Sequence, residues 1–307
     1  MTKIVILDSL FASLDVEEQA AREVGATIER WDGDPRSLSN AEAVAHVRTR
    51  VDGSLIAAMP RCRVISRFGS GIDTVDLEAA QSAGIEVVTV RDYGTTEVAT
   101  QTLALAFALV RRLAMTAGHL DSSWDAVAAE TPLRRCRNAT VVGIGTIGRS
   151  VAAALAALGY DVLAVTRHAP DDARRVGARV VELADGLASA DIVFLHAALD
   201  ETTRELIDAR RLAVMRPGAI LVNTARLGLM DTDAVAAALD EGTLGGLALD
   251  AVLPAGSPLR RFAGDPRVLV TPHVGWYSEE SAETLRRETI ASALAALGRS
   301  TQAGVRA

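Results

Sequence analysis

Apolar runs rich in Val and Ile recur along the chain, separated by alanine-rich stretches of helical character. The first series is IVIL at 4–7, SLIAA at 54–58, VIS at 64–66 and EVVTV at 86–90. A second series comprises TVVGIG at 140–145, DVLAVT at 161–166, DIVFLH at 191–196, AILVNT at 219–224, LALD at 247–250 and VLVT at 268–271. Strands alternating with helices predict parallel α/β structure, and two series predict two α/β units. Between them, TTEVATQTLALAFALVRRL at 95–113 is apolar on nearly every side and is followed by a polar region containing Trp124 and Pro132. This long helix is expected to link the units, with the boundary near residue 95.

A chain of 307 residues, 49% of them hydrophobic, is long enough for two domains and apolar enough for a buried core in each. A net charge of −7, with both signs mixed along the length, provides no basic face for phosphate backbones, so nucleic acid is not an expected partner. The most apolar stretch, TLALAFALV, is nine residues, whereas a spanning helix needs about twenty. Neither a membrane nor a signal peptide is therefore expected. Cys62 and Cys136 lack CxxC spacing and read as buried thiols in a reducing, cytoplasmic setting, with no metal site.

Gly143, Gly145 and Gly148 form a GxGxxG pattern directly after a strand and at the opening of a helix, the context in which it binds a dinucleotide. Gly143 makes the tight turn, Gly145 lets backbone approach a pyrophosphate, and Gly148 allows close helix–strand packing. Thr146 and Ile147 lie within the motif and join it as cofactor contacts, as do Thr166 and His168 at the end of the next strand and Thr224 at the end of a later one. At the position that reads the adenosine ribose, the chain carries Arg167 and no carboxylate. A guanidinium there favours a 2′-phosphate, which predicts NADP in preference to NAD.

Several stretches together resemble the D-2-hydroxyacid dehydrogenase family over nearly the whole chain. They are RFGSGIDTVDLEAAQSAGIEVV, DYGTTEVATQTLALAFALVRR, the glycine motif, LHAALDETTRELID, MRPGAILVNTARLGLMDTDAVAAAL, GGLALD and TPHVGWYSEES. RFGSGIDTVD and PHVGWYSEE are most similar to the branch that includes the C-terminal-binding-protein-like dehydrogenases. The resemblance implies two doubly wound parallel-sheet domains. A flavodoxin-like substrate domain would comprise 1–95 and a C-terminal helix, 282–307, returning to it, with a Rossmann cofactor domain at 96–281. It also implies a homodimer that moves hydride between a nicotinamide cofactor and a small 2-oxo or 2-hydroxy acid. The competing class is a cofactor-binding sensor with little or no turnover.

The resemblance also supplies partners for His273 in TPHVGWYSEES, a histidine that on its own is more often a hydrogen-bonded structural residue than a catalyst. Arg226, in NTARLG, matches the residue that clamps the substrate carboxylate and polarises its carbonyl, although Leu227 stands before Gly228 where the family has Arg-Gly. The backbone N–H groups of Ser70 and Gly71 would form a nest for the same carboxylate, with Arg67 in reach and Trp276 walling the pocket. Asp250 and His196, both at strand ends, are carried over as cofactor contacts.

One family residue is missing. The usual pattern resembles LDVFxxEPL, whose Glu accepts a hydrogen bond from the histidine, orients it and favours its protonated form. This chain reads LDAVLPAGSPL, with no acid between Asp250 and Asp265; counting from Asp250 lands on Ala255, and aligning on the proline-leucine pair lands on Ser257. Three outcomes stay open: another partner, with Ser257 ahead of Asp265 and Glu279; an unsupported histidine; or loss of catalysis with cofactor binding retained.

Overall fold

The structure is a computed structural model that describes residues 2–117, 122–131 and 133–303. Pro132 lies outside the described residues, as does the end of the expected C-terminal helix beyond 303. The chain forms two compact units, one joining residues up to Tyr93 with those from Ser278 onward, the other Gly94–Tyr277. Both crossing points precede the expected 95 and 281. Among the described residues no helix is long and apolar enough to cross a membrane.

The first unit is built on a five-stranded parallel sheet of β1 (Thr2–Ile6), β2 (Ala26–Arg30), β3 (Ala43–His46), β4 (Val64–Arg67) and β5 (Glu86–Thr89). Their order across the sheet, β2-β1-β3-β4-β5, is the flavodoxin-like one. SLIAA, expected as a strand, is instead part of the helix Gly53–Ala57, because the Asp52 side chain accepts the N–H groups of Ser54 and Leu55 and caps its start. Leu55 and Ile56 still reach the core, now from one side of a helix.

The helix Glu279–Ala303 belongs to this unit and is fastened to it in two places. The Ser66 hydroxyl donates to the carbonyl of Thr289 at 2.8 Å, tying the helix to β4. Glu17, fully buried on the helix Asp15–Arg22, accepts from Arg286 Nε at 2.9 Å and Nη2 at 2.6 Å, and that guanidinium also lies over the Phe11 ring. A charge this deep is tolerated only when paired, and removing one partner of such a pair costs about 3–5 kcal/mol.

At the carboxyl end of this sheet, Asp8 pins the turn after β3 by accepting the N–H groups of Val47, Arg48 and Thr49. Burial of Asp8 opposes its ionisation, yet these bonds hold its carboxyl below the usual range. His46 is fully buried beside this turn, with Nδ1 on the carbonyl of Thr49 at 3.0 Å and no partner for Nε2 among the described residues.

The second unit carries a seven-stranded parallel sheet: β6 (Asn138–Val142), β7 (Asp161–Val165), β8 (Arg179–Val180), β9 (Ile192–Leu195), β10 (Ala219–Asn223), β11 (Leu244–Asp250) and β12 (Val268–Thr271). The order is β12-β11-β10-β9-β6-β7-β8, the doubly wound Rossmann arrangement extended by one strand. β9 and β10 are buried at every position, which explains why they read in the sequence as unbroken apolar runs. The long apolar segment forms the helix Thr95–Val110, which ends where Arg112 turns left-handed at φ 48°. Cys62 is buried as expected, but Cys136 is only half-buried.

Burial, with Arg67 adding to it, pushes the His46 imidazolium down to about 4 from an ordinary 6.5. The folded state therefore binds this proton less readily than the unfolded chain. Its contribution to stability is complete above pH 6.5 and is lost as pH falls towards 4, at about 1.4 kcal/mol per pH unit. Urea denaturation of His46→Asn is expected to show a shallower decline than the parent across that window; an identical decline would show that His46 takes up its proton without unfolding.

Candidate active site

The glycine turn follows β6. Gly143 has φ +96°, and a Cβ there would lie 2.6 Å from the carbonyl carbon of His196. A Cβ on Gly148 would collide with the carbonyl oxygen of Gly143, so the helix Thr146–Ala157 lies against the turn. A Cβ on Gly145 would meet no protein atom within 4 Å, and no side chain caps this helix. Gly145 thus opens onto free space beside N–H groups that need an acceptor, with Thr146 exposed and Ile147 half-buried against the core. His196 adds an orphan polar atom beside this turn: its Nε2 is sealed from solvent without a partner among the described residues, and burial pushes the ring down to about 4. A dinucleotide pyrophosphate and its amide or hydroxyl donors fit this set of groups.

The ribose-reading position is more constrained than the sequence suggests. Arg167 Nη1 donates to the Thr202 hydroxyl at 2.9 Å, and Nη2 lies 3.5 Å from Asp200. Asp200 is held in a tight turn by the Thr202 hydroxyl and the N–H groups of Thr202 and Thr203, and these bonds, the hydroxyl first, keep its carboxyl below the usual range. Because β6 lies between β7 and β9, the Arg167–Asp200 pair reaches across the strand that delivers the glycine turn. Thr166 accepts the N–H of Ala169, and His168 is exposed.

Three neighbouring strands then deliver the chemistry. β10, β11 and β12 lie side by side, with Asn223 in register with Leu249 and Asp250 with Thr271. Arg226 follows β10, Asp250 ends β11 and His273 follows β12. Asn223, which the sequence reading did not single out, is buried and fixes the approach to Arg226 by donating to its carbonyl at 2.9 Å while accepting from Ala225 N–H. Leu227 is half-buried against the hydrophobic core, and Gly228 admits the Leu199 side chain, 3.0 Å from where a Cβ would sit.

Thr224 and Asp250, both expected as cofactor contacts, have side chains bonded within the protein. Thr224 is buried, its hydroxyl 2.6 Å from that of Thr102 on the helix Thr95–Val110. Asp250 is 3% exposed, and its carboxylate accepts from the Thr271 hydroxyl at 2.6 Å, Val274 N–H at 2.9 Å and Gly275 N–H at 2.7 Å. The need for Gly275 is now explicit: a Cβ there would come 2.7 Å from the same carboxylate.

His273 is exposed, with φ +61°, and its Nδ1 lies 3.3 Å from the main-chain carbonyl of Asp250, the ring's only hydrogen bond among the described residues. Neither Ser257 nor Asp265 serves it. Ser257 caps the short 3-10 helix Pro258–Phe262, and Asp265 pairs with Arg267 at 2.7 Å. Serine followed by proline is itself a helix-start signal, which the reading of Ser257 as a partner for the histidine passes over. Trp276 is half-buried with its backbone against Gly94, and its ring meets Tyr277 edge-on at 5.7 Å. In the first unit, Gly69 turns at φ +122°, Arg67 Nη1 donates to the carbonyl of Phe68, and Ser70 is exposed beside a half-buried Gly71.

Comparison with known proteins agrees with this architecture. Residues 103–275 match the model of the D-isomer specific 2-hydroxyacid dehydrogenase family, NAD binding domain. The chain is 34% identical over 298 residues to a (S)-sulfolactate dehydrogenase of Chromohalobacter salexigens, covering 94% of this chain and 95% of that protein. It is 32% identical over 263 residues to a glycerate dehydrogenase of Methylorubrum extorquens, covering 82% of each. A D-lactate dehydrogenase from Aquifex aeolicus, solved with NAD and lactic acid, shares the fold with a TM-score of 0.86 at 23% identity, covering 97% of this chain and 96% of that one.

Gly148→Ala is expected to weaken dinucleotide binding by more than about tenfold, because the colliding atom is backbone and cannot swing aside. Calorimetric titration with NADH and NADPH checks this; unchanged affinity would mean that the glycine turn does not hold the dinucleotide. The glycine turn and the ends of β10, β11 and β12 together agree with the relatives in placing this chain in the D-isomer specific 2-hydroxyacid dehydrogenase family of NAD-binding oxidoreductases.

Proposed function

We propose that this protein interconverts a small 2-oxo acid and its 2-hydroxy acid, with His273 as the proton donor and acceptor and Arg226 as the carboxylate clamp. The observation that carries the reading is the delivery of Arg226, Asp250 and His273 by three adjacent parallel strands at one sheet edge. In the reducing direction the carbonyl carbon gains a hydride, which the bound nicotinamide supplies, and the carbonyl oxygen gains the proton held on His273 Nε2. Arg226 offsets the negative charge of the carboxylate and of the developing alkoxide with fixed donors. Trp276 contributes an apolar wall.

The substrate contains a 2-hydroxy or 2-oxo carboxylate, the group common to the sulfolactate, glycerate and phosphoglycerate for which relatives are named. We assign NADPH as the preferred cofactor. A 2′-phosphate offers Arg167 short charge-assisted bonds, and its present partner Asp200 forms only an exposed pair, a weak competitor. The working form is a cytoplasmic homodimer. A second reading, a cofactor-binding sensor, draws on the lack of a carboxylate at His273 among the described residues.

The test follows reduced-nicotinamide absorbance with glyoxylate, hydroxypyruvate, sulfopyruvate and a phosphonate analogue, using NADPH and NADH in parallel. Turnover is expected, with His273→Ala lowering kcat by about 100- to 10,000-fold. Arg167→Ala is expected to weaken NADPH about ten- to a hundredfold and NADH little. Tight dinucleotide binding without turnover of any acid would favour the sensor, and a preference for NADH would overturn the role given to Arg167.

A further inference from the structure

The bonds around Asp250 have a direction that identifies what replaces the missing carboxylate. The Gln101 side-chain amide, on the helix Thr95–Val110, donates to Thr271 Oγ1 at 3.2 Å. An amide nitrogen can only donate, so the Thr271 hydroxyl accepts there, and its own proton goes to the nearer and charged of two acceptors, Asp250 Oδ1 at 2.6 Å over the Leu249 carbonyl at 3.3 Å. Oδ1 also accepts Val274 N–H, and Oδ2 accepts Gly275 N–H. The two residues that follow His273 are thus held by one buried carboxylate, and Thr271, the last residue of β12, is held by the same carboxylate on the other side of the histidine.

This clamp explains the backbone of His273. A non-glycine residue at φ +61° is disfavoured by about 1–3 kcal/mol and persists only where its surroundings fix it. Here the 271–275 segment is fastened on both sides of the histidine. The same residue then supplies the ring's partner: with the side chain of Asp250 holding the loop, its main-chain carbonyl stands 3.3 Å from Nδ1. A carbonyl oxygen only accepts, so Nδ1 carries a hydrogen and Nε2 is the nitrogen left free to exchange a proton.

We infer that Gln101, Thr271 and Asp250 form a positioning relay that sets the conformation and tautomer of His273, with the Asp250 carbonyl doing the orienting that a glutamate does in the usual family pattern. None of the three touches the reacting atoms; each acts through the histidine. The relay rests on the reading of His273 as proton donor only for its effect on turnover, because its effect on the ring is independent of any substrate.

The test uses the full chain labelled with 15N-histidine and long-range 1H–15N spectra at a pH where the ring is neutral, with His273→Gln to assign the signal. In the parent protein His273 is expected to carry its hydrogen on Nδ1. Thr271→Val, which keeps the shape and removes the hydroxyl, and Gln101→Met, which acts from the helix, are expected to shift the ring towards the Nε2–H form that free imidazole prefers. Both are expected to lower kcat on the order of ten- to a hundredfold with little change in KM. Thr271→Ser restores both tautomer and rate. An Nε2–H ring in the parent protein, or a tautomer and rate untouched by Thr271→Val and Gln101→Met, overturns the relay. Should no 2-oxo acid turn over, the spectra still decide the relay, and only the proposed reaction fails.

Discussion

Asp250 carries a carboxylate into the interior, and among the described residues no cation meets it there. A buried charge without a counter-ion is stable only when donors surround it, and Thr271, Val274 and Gly275 provide three. That requirement dictates the path of the chain after β12. Gly275 must lack a side chain, the backbone must turn left-handed at His273, and the imidazole must face the Asp250 carbonyl. The geometry of the candidate catalytic histidine therefore follows from how one acid is solvated.

The surrounding fold supplies the rigidity. Parallel strands expose their carboxyl ends on one edge, and in both sheets the residues with chemical potential gather there: Asp8, His46 and Arg67 in one, the glycine turn, Arg167, Arg226, Asp250 and His273 in the other. Strand register places neighbouring ends level, so that Thr271 stands opposite Asp250 and can be reached from Gln101. Asn223 does for Arg226 what Asp250 does for His273: a buried polar side chain at a strand end shapes the turn that presents a charged one.

Much of this was legible in the sequence where burial is complete. β9, β10 and the glycine motif are unbroken in pattern because both faces of those strands are covered. β2 and β3 were not anticipated, since ATIER is half polar at an edge and AVAH is short and alanine-rich. SLIAA is equally apolar as helix or strand, and the deciding feature was Asp52, a cap rather than a pattern. At the site, residue types were readable but their partners were not. Arg167 is visible as a charge, whereas Asp200, which holds it, lies far along the chain. Thr224 and Asp250 stand at strand ends where cofactor contacts are expected, and only three dimensions show their side chains facing inward. The missing glutamate was plain from LDAVLPAGSPL, but its replacement is a main-chain atom, to which residue identity is blind.

The most direct measurement is a crystal structure of the protein with reduced dinucleotide and a slowly reacting 2-oxo acid, at a resolution that distinguishes the two imidazole nitrogens. The account predicts His273 Nε2 within hydrogen-bond distance of the 2-oxo oxygen, Nδ1 on the carbonyl of Asp250, and no carboxylate against the ring. A glutamate or aspartate from any part of the protein bonded to Nδ1, or a ring turned to present Nδ1 to the substrate, would contradict it.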